Sequence, residues 1–363
     1  MPIDMTYIRH TFLSLLLLVN FLCLQAQPSP GYYNKAVGKK QGELKTALHV
    51  IINPHAAIEY YSSSTYFRST DWHPKTDSYP NGYFWDMYSN NKTTSWSGLN
   101  REHNMPKSWF GIASGEENSE PIGTDLHNLY PSERNANSAK SNYALGIVGA
   151  NPSFTNGVVK VGKSAYPGYS GTVFEPANEY KGDFARCYMY MVTCYEDYAT
   201  RWTSTGTSSM LGNNTYPTFK PYAINLLMEW HRNDPVSSKE INRNNAVHEI
   251  QKNRNPFIDF PVLAEYIWGE YQDEKWDGTN REVGNFYVSY KQSEQKLFIN
   301  AADPAEASFI IFNTTGIRIQ AGKPDASGFI DVSSLPKGLY VAVIYTKGKR
   351  HAEKFLHGES YNW

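Results

Sequence analysis

NREHNMPKSWFG (100–111) and, a short interval later, TDLHNLYPSERNANSAKSNYALG (124–146) decide how this chain reads. In the first, Glu102 and His103 stand side by side, a metal-type ligand next to a proton-transfer group. In the second, Thr124 to Tyr130 alternates in character and predicts a strand with Asp125, His127 and Leu129 on one face. Pro131 is expected to end it. Ser132 to Asn142 suits a short helix, with Ser132 as its cap, Glu133 in the first turn and Asn137 in mid-helix. The expected order is a strand ending in Glu-His, a long loop, a second strand, and a helix carrying Asn. Neighbours on a regular strand point to opposite faces, so Glu102 and His103 share a centre only if the strand end is bent or bulged, or if metal and water lie on different sides of it, and an irregularity is expected there.

Around this core the chain has 363 residues and a formal net charge of -1, which suggests about two domains. The near-neutral balance gives no global pull on nucleic acid, so any such binding rests on a local basic patch. Arg9 and His10 precede the apolar run Phe12–Leu24, and Gln25-Ala26-Gln27 follows. That is a signal-peptide pattern over 1–26, too short to favour a membrane span. Past it, Cys187 and Cys194 lie seven apart in a helical pattern, about 10.5 Å along the axis, beyond disulfide reach. They are expected to be reduced, half-buried helix residues.

Leu44, Leu48, Ile51 and Ile52 predict an opening helix ending near Pro54, and residues 56–98 look loop-dominated. Further helices are expected around the two cysteines, over YAINLLMEWHR (222–232), and from the capping pattern at Ser237–Glu240 toward Gln251. Beyond a linker at 274–284, short strand-like runs separated by turn signals predict a small all-β sandwich over 285–363.

NREHNMPKSWFG, DLHNLYPSERNANSAKSNYALG, FEPANEYKGDFARCYMYMVT (174–193) and QKNRNPFIDFP (251–261) together resemble successive signature segments of the endonuclease I family. The resemblance runs from about Tyr32 to about Trp268 and defines a nuclease domain at 27–273. It implies an α+β fold around a ββα-metal (His-Me finger) core with surrounding helices. It also implies a secreted, sequence-nonspecific endonuclease acting on DNA and often on RNA, leaving 5′ phosphates, with the preference between the two left open. Carried over by position, His103 is the catalytic base, and Glu102 and Asn137 hold Mg²⁺, with Mn²⁺ or Ca²⁺ as alternatives. A hard cation held by two protein oxygens keeps positions open for phosphate and water.

Arg101, Arg134, Lys140 and Arg254 are candidate phosphate contacts, and Asp125 and His127 candidate orienting groups. FNTTGIRIQAG (312–322) and GFIDVSSLPKGLYVAVIYTKGKRHAEKFL (328–356) resemble the C-terminal sorting domain of the type IX secretion system. That implies the secretion machinery as a partner and a secreted or cell-surface location, released or anchored. A monomer is expected. Two readings compete: a secreted adhesin or binding protein with an inactive nuclease-like core, against which the intact Glu102, His103 and Asn137 set stands, and a zinc hydrolase using His103 and His127, which lacks a recognised ligand spacing.

Overall fold

The computed structural model describes residues 28–202, 209–280, 287–291, 295–300, 306–346 and 349–358. The expected signal peptide, and residues 281–284 of the expected linker, lie outside the described residues. The chain divides into two compact units, residues 1–279 and 280–363.

The first unit opens with helix α1 (Gln41–Ile52), whose Leu44, Leu48 and Ile52 are fully buried. Side chains of this size contribute about 1.5–3 kcal/mol each when buried. Helix α2 (Ser63–Thr70) and the short antiparallel pair β1 (Trp72–His73) and β2 (Tyr83–Phe84) follow. They occupy the stretch read as loop. Its Ser, Thr and Tyr residues give little helical stripe, and α2 is held by Phe67, fully buried among Phe84, Leu99, Leu126, Leu129 and Val247.

Strand β3 (Leu99–His103) pairs antiparallel with β4 (Leu129–Glu133) in an unbroken register, from Leu99↔Glu133 to His103↔Leu129. The expected strand at Thr124–Tyr130 is displaced. Pro121–Gly123 is a 3₁₀ turn, and the amides of Asn128 and Leu129 donate to the Asp125 carbonyl at 2.9 and 3.0 Å, closing a turn. The Asp125 carboxylate and the His127 amide are committed to that turn, and the strand starts only afterwards. Pro131 lies inside the strand instead of ending it. A two-stranded sheet has a free edge on each strand, so the missing N–H costs no ladder bond.

Helix α3 (Arg134–Lys140) follows directly. Its cap is Glu133, which accepts from the amides of Asn135 and Ala136, both at 2.9 Å. The expected cap, Ser132, instead donates its hydroxyl to the Glu133 carbonyl at 3.2 Å.

A four-stranded sheet follows: β5 (Ala144–Leu145), β6 (Phe154–Thr155), β7 (Lys160–Lys163) and β8 (Thr172–Glu175), in the order β5-β8-β7-β6. Helix α4 (Lys181–Cys194) is buried on every side and is the hub of the unit, packing on α1 and on α5 (Pro221–Asn233). Its Cys187 and Cys194 are free thiols and fully buried rather than half-buried. Helix α6 (Ser238–Gln251) starts with the capping box of Ser237 and Glu240 that the sequence predicts. Short helices α7 (Pro256–Asp259) and α8 (Leu263–Trp268) follow. No described helix is long and apolar enough to cross a membrane.

The second unit is all β. One sheet has the order β13-β10-β9, from β9 (Tyr287–Lys291), β10 (Lys296–Asn300) and β13 (Phe329–Asp331). The other has the order β12-β11-β14-β15, from β11 (Ser308–Asn313), β12 (Arg318–Gly322), β14 (Gly338–Thr346) and β15 (Lys349–His357). Leu297, Ile299 and Ile330 of the first share a core with Phe309, Ile311, Ala342 and Ile344 of the second, as in a sandwich. The mixed α+β architecture with a C-terminal all-β part is as the sequence predicts.

Candidate active site

The regular register of β3 sends its last two side chains to opposite faces, so the expected distortion at Glu102 and His103 is not found. Glu102 faces α3. His103 faces the loop that precedes β4.

His103 is buried, with its Nε2 2.8 Å from the carbonyl oxygen of Gly123. A carbonyl only accepts, so Nε2 carries the hydrogen and Nδ1 keeps its lone pair. Nδ1 makes no hydrogen bond among the described residues. Tyr60 stacks on the ring, with centroids 5.9 Å apart and 12° between planes, and Phe110 meets it edge-on. Burial lowers the imidazole pKa to about 4, partly opposed by the Gly123 bond, so the ring is neutral near pH 7. Gly123 is required for this placement. A Cβ there would lie 2.2 Å from the Glu117 carbonyl, so any side chain would push the acceptor away from the imidazole.

Glu102 is also buried. It accepts from Lys140 Nζ at 2.5 Å, and the same ammonium donates to the His103 carbonyl at 3.1 Å. Burial raises the carboxyl pKa, and Lys140 pulls against that rise. Lys140 ties β3 to α3, the helix that carries Asn137 one turn earlier. Asn137 is half-buried, and its amide forms no hydrogen bond among the described residues. The second carboxylate oxygen of Glu102 and the Asn137 amide oxygen are therefore uncommitted hard donors. Such a pair fits a small divalent cation that keeps most of its ligands as water and phosphate.

Another group carries metal-type donors. His55, Asp125 and Cys194 have ligand atoms all within 4.8 Å of one another. Their lone pairs are spent elsewhere. Asp125 accepts from Tyr190 and Tyr195 at 2.7 and 2.8 Å, and from the His127 amide and Gln251 at 2.8 and 2.9 Å. His55 bonds the Tyr195 hydroxyl at 2.8 Å, and burial pushes the Cys194 thiol far up. Burial raises the Asp125 carboxyl too, but His55, His127 and the donors outweigh it and hold its pKa below the ordinary value.

His127 packs its ring on Tyr190 at 4.5 Å, and burial lowers its pKa to about 3. Among the described residues, no group of three or more metal-type donors contains His103 or His127.

The four basic candidates separate. Arg101 and Arg134 line a cleft of about 400 Å³ with Tyr60, Tyr61, Trp96 and Lys107. Lys140 is fully buried against Glu102, so it is a counter-charge to the carboxylate and not a surface cation. Arg254 is buried in a fork on Asp259, two bonds of 2.7 Å, and lies outside the cleft lining, so it holds the fold instead of facing a phosphate.

Sequence reasoning missed Arg243 as a structural centre. From α6 it donates to Asp71 at 2.8 Å and to the carbonyls of Leu126 and Leu129 at 2.6 and 2.7 Å, and it covers the Tyr130 ring at 3.9 Å. It clamps the turn that delivers β4. Its partners lie more than 110 residues away, so no local pattern marks it. The Lys107–Glu117 ion pair at the cleft rim was missed as well.

The family model for Endonuclease I matches residues 41–262, which contain β3, β4 and α3. Two curated relatives carry the name extracellular ribonuclease. The protein from Bacillus amyloliquefaciens is 35% identical over 245 residues, covering 65% of this chain and 78% of that one. The protein from Bacillus subtilis (strain 168) is 33% identical over the same shares. With a match across more than half of its length and the Glu102, His103 and Asn137 positions inside it, the chain belongs to the endonuclease I family.

Proposed function

We infer that this nuclease hydrolyses phosphodiester bonds of both RNA and DNA without sequence preference, leaving 5′ phosphates, and acts outside the cell. The state of His103 carries the reading. Its neutral imidazole is held by Gly123 with Nδ1 uncommitted, and its ring stacks on Tyr60, which lines the cleft together with Arg101 and Arg134.

In this reading His103 takes a proton from the attacking water through Nδ1. Glu102 and Asn137 would hold a divalent cation, taken to be Mg²⁺, which would supply charge compensation for the phosphate and the departing oxygen. Lys140 opposes the rise that burial imposes on the Glu102 carboxyl and braces the end of β3 through the His103 carbonyl. Arg101 and Arg134 meet backbone phosphates. Asp125 orients the loop between β3 and β4 by fixing the His127 amide.

The names of the Bacillus relatives support RNA as a substrate and an extracellular location. The C-terminal sandwich is proposed as a type IX sorting unit.

The test pairs plasmid DNA and a structured RNA with the purified protein, in Mg²⁺ or in EDTA, beside His103→Ala. Both polymers should be cut in Mg²⁺ and neither in EDTA. The variant should lose roughly 10²- to 10⁴-fold in rate. A wild type that cuts neither polymer would overturn the nuclease reading, and cleavage surviving in the variant would overturn the assigned base.

A further inference from the structure

The face of β3 that carries His103 also carries Arg101, two residues earlier. Its guanidinium lies among three rings, 5.4 Å from Tyr60, 5.6 Å from Tyr61 and 5.2 Å from Trp96. Nε donates to Ser63 Oγ at 2.9 Å, and Nη2 donates to the Tyr61 carbonyl at 2.6 Å and Ser64 Oγ at 3.1 Å. Those bonds fix the plane of the group. Nη1 has no hydrogen bond among the described residues. Arginine held in this way presents a donor without losing further side-chain freedom on binding.

The rings form a path. Tyr60 stacks on His103 and meets Tyr61 edge-on, with centroids 5.4 Å apart and planes at 73°. Tyr61 is 65% exposed, so its ring lies open to solvent beyond Tyr60. Aromatic rings therefore lead from the buried imidazole to an open ring at the cleft edge, beside fixed positive charge. An aromatic face next to a cation matches an unpaired nucleotide: the base stacks and the phosphate pairs. Bases within a duplex are stacked on one another and cannot lie on Tyr61.

We propose that Tyr61 and Arg101 form a nucleotide subsite, with the phosphate on Arg101 Nη1 and an unpaired base laid on Tyr61, which favours single-stranded over duplex substrate. The subsite rests on the nuclease reading above and adds a preference that reading does not contain.

The probe is a short single-stranded oligonucleotide carrying one 2-aminopurine, mixed with the full protein in EDTA so that no turnover occurs. Stacking should quench its fluorescence. Tyr61→Ala should remove the quench and weaken binding roughly tenfold, and Tyr61→Phe should restore both. A duplex carrying the same base should be quenched less and should lose less affinity on Tyr61→Ala. Unchanged quenching in Tyr61→Ala, or equal losses on single strand and duplex, would overturn the subsite. Wild-type protein that quenches yet cuts no polymer in Mg²⁺ would overturn the nuclease reading alone. Cleavage that persists without any quench would overturn the subsite alone.

Discussion

Lys140 and Glu102 are each nearly inaccessible to solvent, and each is the other's charged partner. A buried pair contributes little by existing, but breaking it strands a charge in a poor solvent. Lys140→Met is therefore expected to destabilise the fold by about 3–5 kcal/mol. The double variant Lys140→Met/Glu102→Gln should recover much of that loss, because no charge then remains unpaired. Urea unfolding of the three proteins checks this, and equal losses in single and double variants would refute the pairing. The same bond explains why Lys140 was misread from the sequence. Three residues after Asn137, it has the spacing of a phosphate contact, and nothing local reveals that β3 lies over it.

At the scale of elements, His231 shows how α4 and α5 are joined. Its Nε2 donates to the Pro261 carbonyl at 3.1 Å, while Nδ1 lies 3.4 Å from Arg186 Nη1 on α4. Burial, with Arg186 adding to it, lowers the pKa from 6.5 to about 3. Between those values the unfolded chain binds a proton that the folded chain excludes. This group's contribution is therefore complete above about pH 6.5 and is lost as pH falls toward 3. His231→Gln should be weaker than wild type at pH 7.5, and the gap should close by up to about 1.4 kcal/mol per pH unit on acidification. Unfolding midpoints at pH 7.5 and pH 5 read this directly, and a constant gap would sink it.

Elements were legible where the pattern was local. α1 shows its stripe of Leu44, Leu48 and Ile52, and α6 shows its capping box. The strand after His103 was misplaced because Asp125 and His127 alternate like strand residues. In the fold they serve a turn whose bonds reach Gln251 and Arg243, far along the chain. The Glu-His pair and the helix bearing Asn137 could be read in sequence. Gly123 could not, since its role depends on how closely Glu117 approaches it.

On the scale of the whole molecule, the division at residues 279 and 280 separates an α+β unit from a β sandwich, each with its own core. A chain ending at Thr279 is expected to fold cooperatively and to cut nucleic acid at the rate of the full-length protein. Calorimetry and the plasmid assay on that truncation test both parts, and a loss of folding would show that the first unit depends on the second.

The two thiols of α4 have a practical consequence. Cys187 and Cys194 are buried and unbridged, and burial holds both thiols protonated, so they react poorly as nucleophiles. The nuclease unit should thus mature without an oxidant or a disulfide isomerase and should withstand reducing surroundings. Its melting temperature should be the same with and without millimolar dithiothreitol, and a reductant-dependent drop would contradict that. Such an enzyme can be produced in a reducing cytoplasm, and its working range is not tied to redox conditions.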